Sequence, residues 1–202
     1  MKALIILENG FEDVEALCTY DILKRSGIDL VKASLNELNV KTSYGHIINT
    51  DCLLKDIENP EEEFDFLIIP GGKAVFNVLD KSEEIDNVID KFYFKNKLIA
   101  SICAAPLLIG KRGYFDGLEY TCFPGCEETI TRGTKVKDGV VRSANFITAT
   151  SMYYSTNFAL EIISFMQGEV QKEKVLKNIM GKKWLFKDST LGRIFFCYSI
   201  FS

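Results

Sequence analysis

The 202 residues contain one histidine, His46, and no pair of cysteines in C-x-x-C spacing. Structural zinc sites are built from clustered Cys and His, so no metal is expected. No segment gathers Lys and Arg into a stripe, and 24 basic against 28 acidic side chains leave a formal net charge of −4. That balance argues against nucleic acid as a partner. No apolar run reaches the ~20 residues that a membrane span needs. The opening MKALIILENGF meets charge at Glu8 after too short an apolar run for a secretory signal. It reads as a first strand, and the expected location is cytoplasmic. A glycine-rich phosphate loop after that strand is also missing, with Phe11 and acids in its place, which argues against a bound nucleotide or flavin. No cofactor is expected.

What is present suits an α/β protein with one sizeable core. Hydrophobic residues make up 47% and charged residues 26%, ordinary soluble usage for a chain of this length. Six cysteines (Cys18, Cys52, Cys103, Cys122, Cys126 and Cys197) are scattered through a chain long enough to fold without staples, so they read as reduced thiols.

Residues 2–7, KALIIL, form a nearly continuous apolar run, as a central strand covered on both faces requires. Glu12 to Ser26 has helical spacing, with Gly27 where a helix should stop. Ile28 to Ala33 reads as a strand, and Lys41 to Thr50 as a hairpin interrupted by Gly45. FDFLIIPGG is another buried strand ending in a glycine turn, and Ser82 to Phe94 a helix. KLIASICAAPLLIG compresses the pattern into a strand to Ile102, an abrupt turn at Cys103 and a helix to Ile109. Short strands are expected around Tyr120, Val136 to Val141 and Phe146 to Thr148, then helices Tyr154 to Met166 and Val170 to Met180. Strands alternating with helices predict a flavodoxin-like three-layer α/β/α sandwich with a mostly parallel central sheet. Residues 1–180 form this domain. Residues 181–202 are an aromatic-rich extension, expected as a helix packed on the domain or on a partner subunit.

Open parallel sheets bind ligands beyond the carboxyl ends of their strands. ENGFEDVE, PGGKAVFN and ASICAAP converge on that edge. A cysteine at a strand-to-helix turn meets unpaired N–H groups and positive potential, which favour the thiolate. Cys103 is therefore expected to have a low pKa, although a cysteine chosen blindly is more often an inert packing residue.

At these residues the chain resembles the DJ-1/PfpI family. ASICAAP resembles the family's A-I-C-A-G-P elbow, FLIIPGG its V-L-P-G-G turn, and NGFEDVE its G-x-E-x-x-E segment, in family order and spacing. The resemblance covers most of residues 1–175. It implies that Cys103 carries a reactive, oxidisable thiolate and that Glu15 is a protonated acid hydrogen-bonded to it. A carboxylic acid donates to a thiolate only while neutral, and desolvation favours that form. It further implies that Gly71 and Gly72, with Ala104, offer backbone N–H groups to a substrate oxyanion. Arg25 falls at a basic position near the dimer groove, where relatives suggest an anion site, but Tyr44 replaces the second arginine of several of them. A homodimer is also implied.

The pattern breaks in two places. Relatives that act as proteases or triad hydrolases carry a His directly after the cysteine, where this chain has Ala104. The His before a later proline is replaced by Phe123. Acyl transfer by a Cys–His–acid triad needs an imidazole at the sulfur, so peptidase and glutamine amidotransferase activities are not expected. Met152, Tyr153 and Tyr154 replace small residues, Pro and Gly, which predicts an aromatic pocket rim with Phe123, Met152 and Tyr153. Cys122 and Cys126 read as small packing residues, with a resolving-thiol role as the alternative.

Two functions remain open. The first is glyoxalase or deglycase-type chemistry on a small-molecule α-oxoaldehyde, implied by the resemblance. The second is a redox-sensing stress protein or chaperone that works through oxidation of Cys103 without significant turnover.

Overall fold

The computed structural model describes residues 1–182 and, beyond them, the backbone of 184–187 and 194–197. The first strand, β1 (Lys2–Ile6), leads into helix α1 (Asp13–Arg25) and strand β2 (Asp29–Ser34). A small hairpin, β3 (Asn39–Lys41) and β4 (Ile47–Asn49), turns at Gly45, whose φ of 97° lies in the left-handed region. There follow β5 (Cys52–Leu53), the one-turn α2 (Pro60–Glu63), β6 (Phe66–Ile69), α3 (Lys73–Asn77) and α4 (Glu83–Phe94). Next come β7 (Leu98–Ile102), α5 (Pro106–Gly110), and the short strands β8 (Glu119–Tyr120) and β9 (Thr134–Lys135). β10 (Val140–Ser143), β11 (Phe146–Ala149), α6 (Ser155–Gln167) and α7 (Glu169–Ile179) complete the domain.

The central sheet has seven strands in the order β10-β11-β7-β6-β1-β2-β5. Every pair is parallel except β10–β11, so the expected mostly parallel sandwich is what forms. The period-2 alternation of a strand explains the continuous apolar runs. Leu4, Ile6, Leu67, Ile69 and Ile99 face a core shared with Ile85, Ile89 and Phe92 of α4 and Leu108 of α5. Ala3, Ile5, Phe66, Ile68, Ala100 and Ile102 point the other way, onto Ala16 and Leu23 of α1 and Phe158 and Ile162 of α6.

Helix α4 shows how local chemistry sets an element. Ser82 caps it, its Oγ accepting the Ile85 N–H at 3.3 Å. Glu83, Glu84 and Asp86 occupy the positive first turn, and Ile85, Val88, Ile89 and Phe92 form the buried stripe. Phe92 is fully buried. Phe92→Ala should therefore lower unfolding stability by about 3–5 kcal/mol, as measured by urea denaturation.

Two expectations need correction. The strand expected over Val136 to Val141 forms only at its end: β9 stops at Lys135 and β10 begins at Val140. Val136, Lys137, Asp138 and Gly139 form the break, and the Tyr154 ring fills the place where a Gly139 side chain would stand, 2.0 Å from an ideal Cβ. The expected C-terminal helix is replaced by β12 (Trp184–Lys187) paired antiparallel with β13 (Ile194–Cys197). WLFK and IFFC are aromatic-rich, a composition that suits strands better than helices. The rest of the extension lies outside the described residues. Among the described residues no helix is long and apolar enough to cross a membrane.

Candidate active site

β7 ends at Ile102, and Cys103 takes φ +65°, one of three non-glycine residues with positive φ among those described. Such backbone costs on the order of 1–3 kcal/mol and persists only where its surroundings hold it. Here the Cys103 N–H donates to the Ala149 carbonyl at 2.8 Å, and its carbonyl accepts the Phe123 N–H at 2.8 Å. The Ala105 N–H closes the turn on the Ile102 carbonyl at 3.1 Å. Ala104 and Ala105 are buried beneath the elbow, while Cys103 itself is half-buried. The sulfur is thus lifted from the sheet edge on a fixed turn.

Glu15 is brought to it by the first turn of α1. Phe11 is buried and bridges to Gly72, the Glu12 N–H donates to the Gly71 carbonyl at 3.1 Å, and the helix starts from that anchor. Glu15 is only 1% exposed. Its Oε2 accepts the Gly71 N–H at 2.8 Å, and its carboxyl shares a hydrogen bond with the Cys103 thiol. Gly71 has no substitute here: a Cβ would lie 2.7 Å from both the Cys103 Cβ and Glu15 Oε2. At Gly72, with φ +97°, a Cβ would meet the Gly10 carbonyl oxygen and the Glu12 nitrogen at 2.5 Å. Gly71→Ala should drive the carboxyl and the sulfur apart. With the Glu15 charge moved away, the Cys103 thiol should ionise more readily, and its alkylation by iodoacetamide, read by peptide mass spectrometry, should quicken by about tenfold for each pH unit by which the thiol pKa falls.

These contacts correct the role expected of Gly71. Its N–H is committed to Glu15, so it orients the acid rather than facing a substrate oxyanion. The Ala104 N–H does point to the sulfur and favours its anion.

The electrostatics correct a second expectation. Burial pushes Glu15 up to about 7, against the hydrogen bonds from Cys103 and Gly71, with the charge of Glu12 adding to the rise. Burial also pushes the Cys103 thiol up, and the neighbouring Glu15 charge pushes it further. The low thiol pKa expected at a helix N-terminus gives way to a raised one: burial first, then the charge and hydrogen bond of Glu15, outweigh the Ala104 N–H that favours the anion. Glu15 therefore loses its proton near 7 while the thiol still holds its own. The thiolate is relieved of Glu15's repulsion only when that proton sits on the carboxyl.

The remaining residues divide between rim and periphery. Phe123 is exposed beside the elbow, fixed by its N–H bond to Cys103. Met152 and Tyr153 follow β11 in a short 3₁₀ turn and are exposed, Tyr153 by 83%. Arg25 does not join the site. It lies in the last turn of α1, paired with Asp21 at 2.7 Å and bonded to Asn178 Oδ1 at 3.1 Å. His46 is 74% exposed just after the hairpin turn, its Nε2 4.0 Å from Asp13 Oδ1. Among the described residues no group of three His, Cys, Asp or Glu is placed to hold a metal ion. Sequence reading missed Glu12 as a modulator of Glu15; its signal was present, as the first acid of the quoted E-D-V-E.

A parallel α/β sandwich with a strained cysteine at the strand-to-helix elbow and a buried glutamic acid against it defines a recognisable class of protein. The comparisons agree: residues 1–165 match the model of the DJ-1/PfpI family, and the chain belongs to that family. Protein dj-1beta of Drosophila melanogaster is 30% identical over 182 residues, covering 89% of this chain and 96% of that protein. Its crystal structure superposes with a TM-score of 0.82, covering 89% and 97% of the two chains. A deglycase of Pyrococcus horikoshii is 33% identical over 151 residues, 74% of this chain and 89% of the relative. A glutathione-independent glyoxalase of Caenorhabditis elegans is 30% identical over 181 residues, 88% and 95% of the two.

Proposed function

We propose that this protein converts small α-oxoaldehydes to 2-hydroxy acids without a cofactor, with Cys103 as nucleophile and Glu15 as proton carrier. The observation that carries this reading is the Glu15 carboxyl, buried, anchored on the Gly71 N–H and hydrogen-bonded to the Cys103 thiol. The sulfur anion adds to the aldehyde carbon and Glu15 gives its proton to the new alkoxide, forming a hemithioacetal. Glu15, now a carboxylate, takes the hydrogen from that carbon and returns it to the neighbouring carbonyl carbon through an enediol. The resulting thioester is hydrolysed by water, which releases the 2-hydroxy acid and the thiol. Atoms balance as aldehyde plus water, with no net oxidation. The Gly72 N–H is the donor suited to the oxyanion, and Phe123, Met152 and Tyr153 form an aromatic mouth that suits small apolar substituents.

The relatives' names, a deglycase and a glutathione-independent glyoxalase, support the same chemistry. The missing imidazole at the sulfur argues against peptidase or amidotransferase turnover. Val14 and Leu17, each 40% exposed on α1, and Ile47 on the adjoining hairpin make an apolar face suited to a homodimer, and a cytoplasmic location accords with the thiol chemistry. The deciding assay incubates purified protein with methylglyoxal and follows lactate. Lactate formed by the wild type and not by Cys103→Ser supports the proposal; a wild type no faster than buffer overturns it and leaves the redox-sensing stress role as the reading.

A further inference from the structure

The turn that holds the elbow carries two more thiols. Phe123 donates its N–H to the Cys103 carbonyl at 2.8 Å, and Cys126 donates its N–H to the Phe123 carbonyl at 3.0 Å. Two consecutive backbone hydrogen bonds therefore tie Cys126 to Cys103. Cys126 is buried at the foot of this turn, whereas Phe123, Pro124 and Gly125 above it are exposed. Gly125, at φ +92°, is the left-handed hinge from which the 3₁₀ turn Cys126–Thr129 departs. Cys122 is oriented differently: it is fully buried, with its Sγ 3.9 Å from Glu127 Oε2. Cys18 lies elsewhere, 3.6 Å from Thr156 Oγ1 between α1 and α6, and Cys52 sits on the far edge strand β5.

We propose that Cys126 is a resolving cysteine, which captures an oxidised Cys103 as an intramolecular disulfide when the protein meets a hydroperoxide. The proposal rests on the reactivity of Cys103 argued above and adds a second chemical state to the same site. In the first step the Cys103 sulfur attacks one peroxide oxygen and the O–O bond breaks. An alcohol or water leaves with the proton from Glu15, so sulfur is oxidised to a sulfenic acid and the peroxide is reduced. In the second step the Cys126 sulfur attacks the sulfenic sulfur, the S–O bond breaks, and hydroxide leaves as water with the Cys126 proton. A disulfide needs Cα atoms within about 7 Å; Phe123 is hydrogen-bonded to both residues, while the Cys126 and Cys103 side chains pack with different cores, so closing the bond requires the exposed turn at Gly125 to shift. The linkage would block the nucleophile reversibly and protect it from over-oxidation to the sulfinic acid.

The test treats the reduced full-length protein with a several-fold molar excess of hydrogen peroxide, followed by intact mass and by non-reducing peptide maps. The wild type should lose two hydrogens and yield one linked pair joining the Cys103 and Cys126 peptides, reversed by dithiothreitol. Cys126→Ser should instead gain two oxygens at Cys103, and Cys122→Ser should behave as the wild type. The wild-type map alone decides if Cys126→Ser does not fold. A wild type that gains oxygens directly, or a link to Cys122 rather than Cys126, overturns the proposal. Iodoacetamide labelling of the untreated protein separates the two readings. A labelled Cys103 that never cross-links sinks only the resolving role, and an unlabelled Cys103 sinks the reactive site itself.

Discussion

Cys103→Ser should reduce lactate formation from methylglyoxal to the buffer rate, and Glu15→Gln should lower kcat by about 10²–10⁴-fold, the usual contribution of a positioned acid–base group. The two losses have different causes. Serine in place of Cys103 keeps the elbow but cannot form an anion at neutral pH, so no adduct is made. The amide of Glu15→Gln retains an oxygen to accept the Gly71 N–H, which the wild-type carboxyl accepts at 2.8 Å, and an NH₂ to meet the sulfur, but it cannot carry a proton. Alkylation of Cys103 should therefore survive in Glu15→Gln while turnover does not. The pH profile gives a sharper check. The doubly protonated pair is inactive, and its first proton leaves near the raised Glu15 value of about 7. In the wild type kcat/KM should rise with pH up to about that point and then level off. An acid limb near an ordinary carboxyl value, or an unchanged limb in Glu15→Gln, would refute the shared-proton site.

How much of this could be read from the chain varies with the range of the physics involved. The sandwich was legible because buried parallel strands leave runs such as KALII and FLII that no other element explains, and because Ser82 and Gly27 mark helix ends by local chemistry. Cys103 and Glu15 were legible as a pair only through the order of three short motifs, and the structure does place the two in contact. The sign of the thiol shift was not legible. It turns on two long-range quantities, the desolvation of the elbow and the Glu15 charge that α1 brings against it from far along the chain. The part played by Gly71 was hidden for a similar reason. Its backbone serves a side chain 56 residues away, whereas glycine in a P-G-G turn reads equally well as a donor to substrate. The Arg25 ion pair is the opposite case, since Asp21 stands one helical turn earlier and local spacing alone accounts for it.

Glu15→Gln should also stabilise the protein above neutral pH, the reverse of what loss of a buried hydrogen-bonded residue ordinarily does. Glu15 titrates at 4.5 when unfolded and at about 7 when folded. Below 4.5 both states hold the proton and the acid has no pH-dependent effect. As pH rises from there to about 7, the unfolded chain releases a proton that the folded chain keeps, which favours unfolding by about 1.4 kcal/mol per pH unit. Above about 7 both states are ionised and the cost is constant. The total is on the order of 3 kcal/mol, and the neutral amide of the variant, which has no proton to release, escapes it. Urea denaturation of the wild type and Glu15→Gln at several pH values measures the difference. The two curves should lie close together near the unfolded titration point, diverge through the window between the two titration points with the variant the more stable, and run parallel in mild alkali. A gap that does not change with pH would mean that the carboxyl titrates alike in both states, and the proton-sharing pair at the elbow would then have no thermodynamic basis.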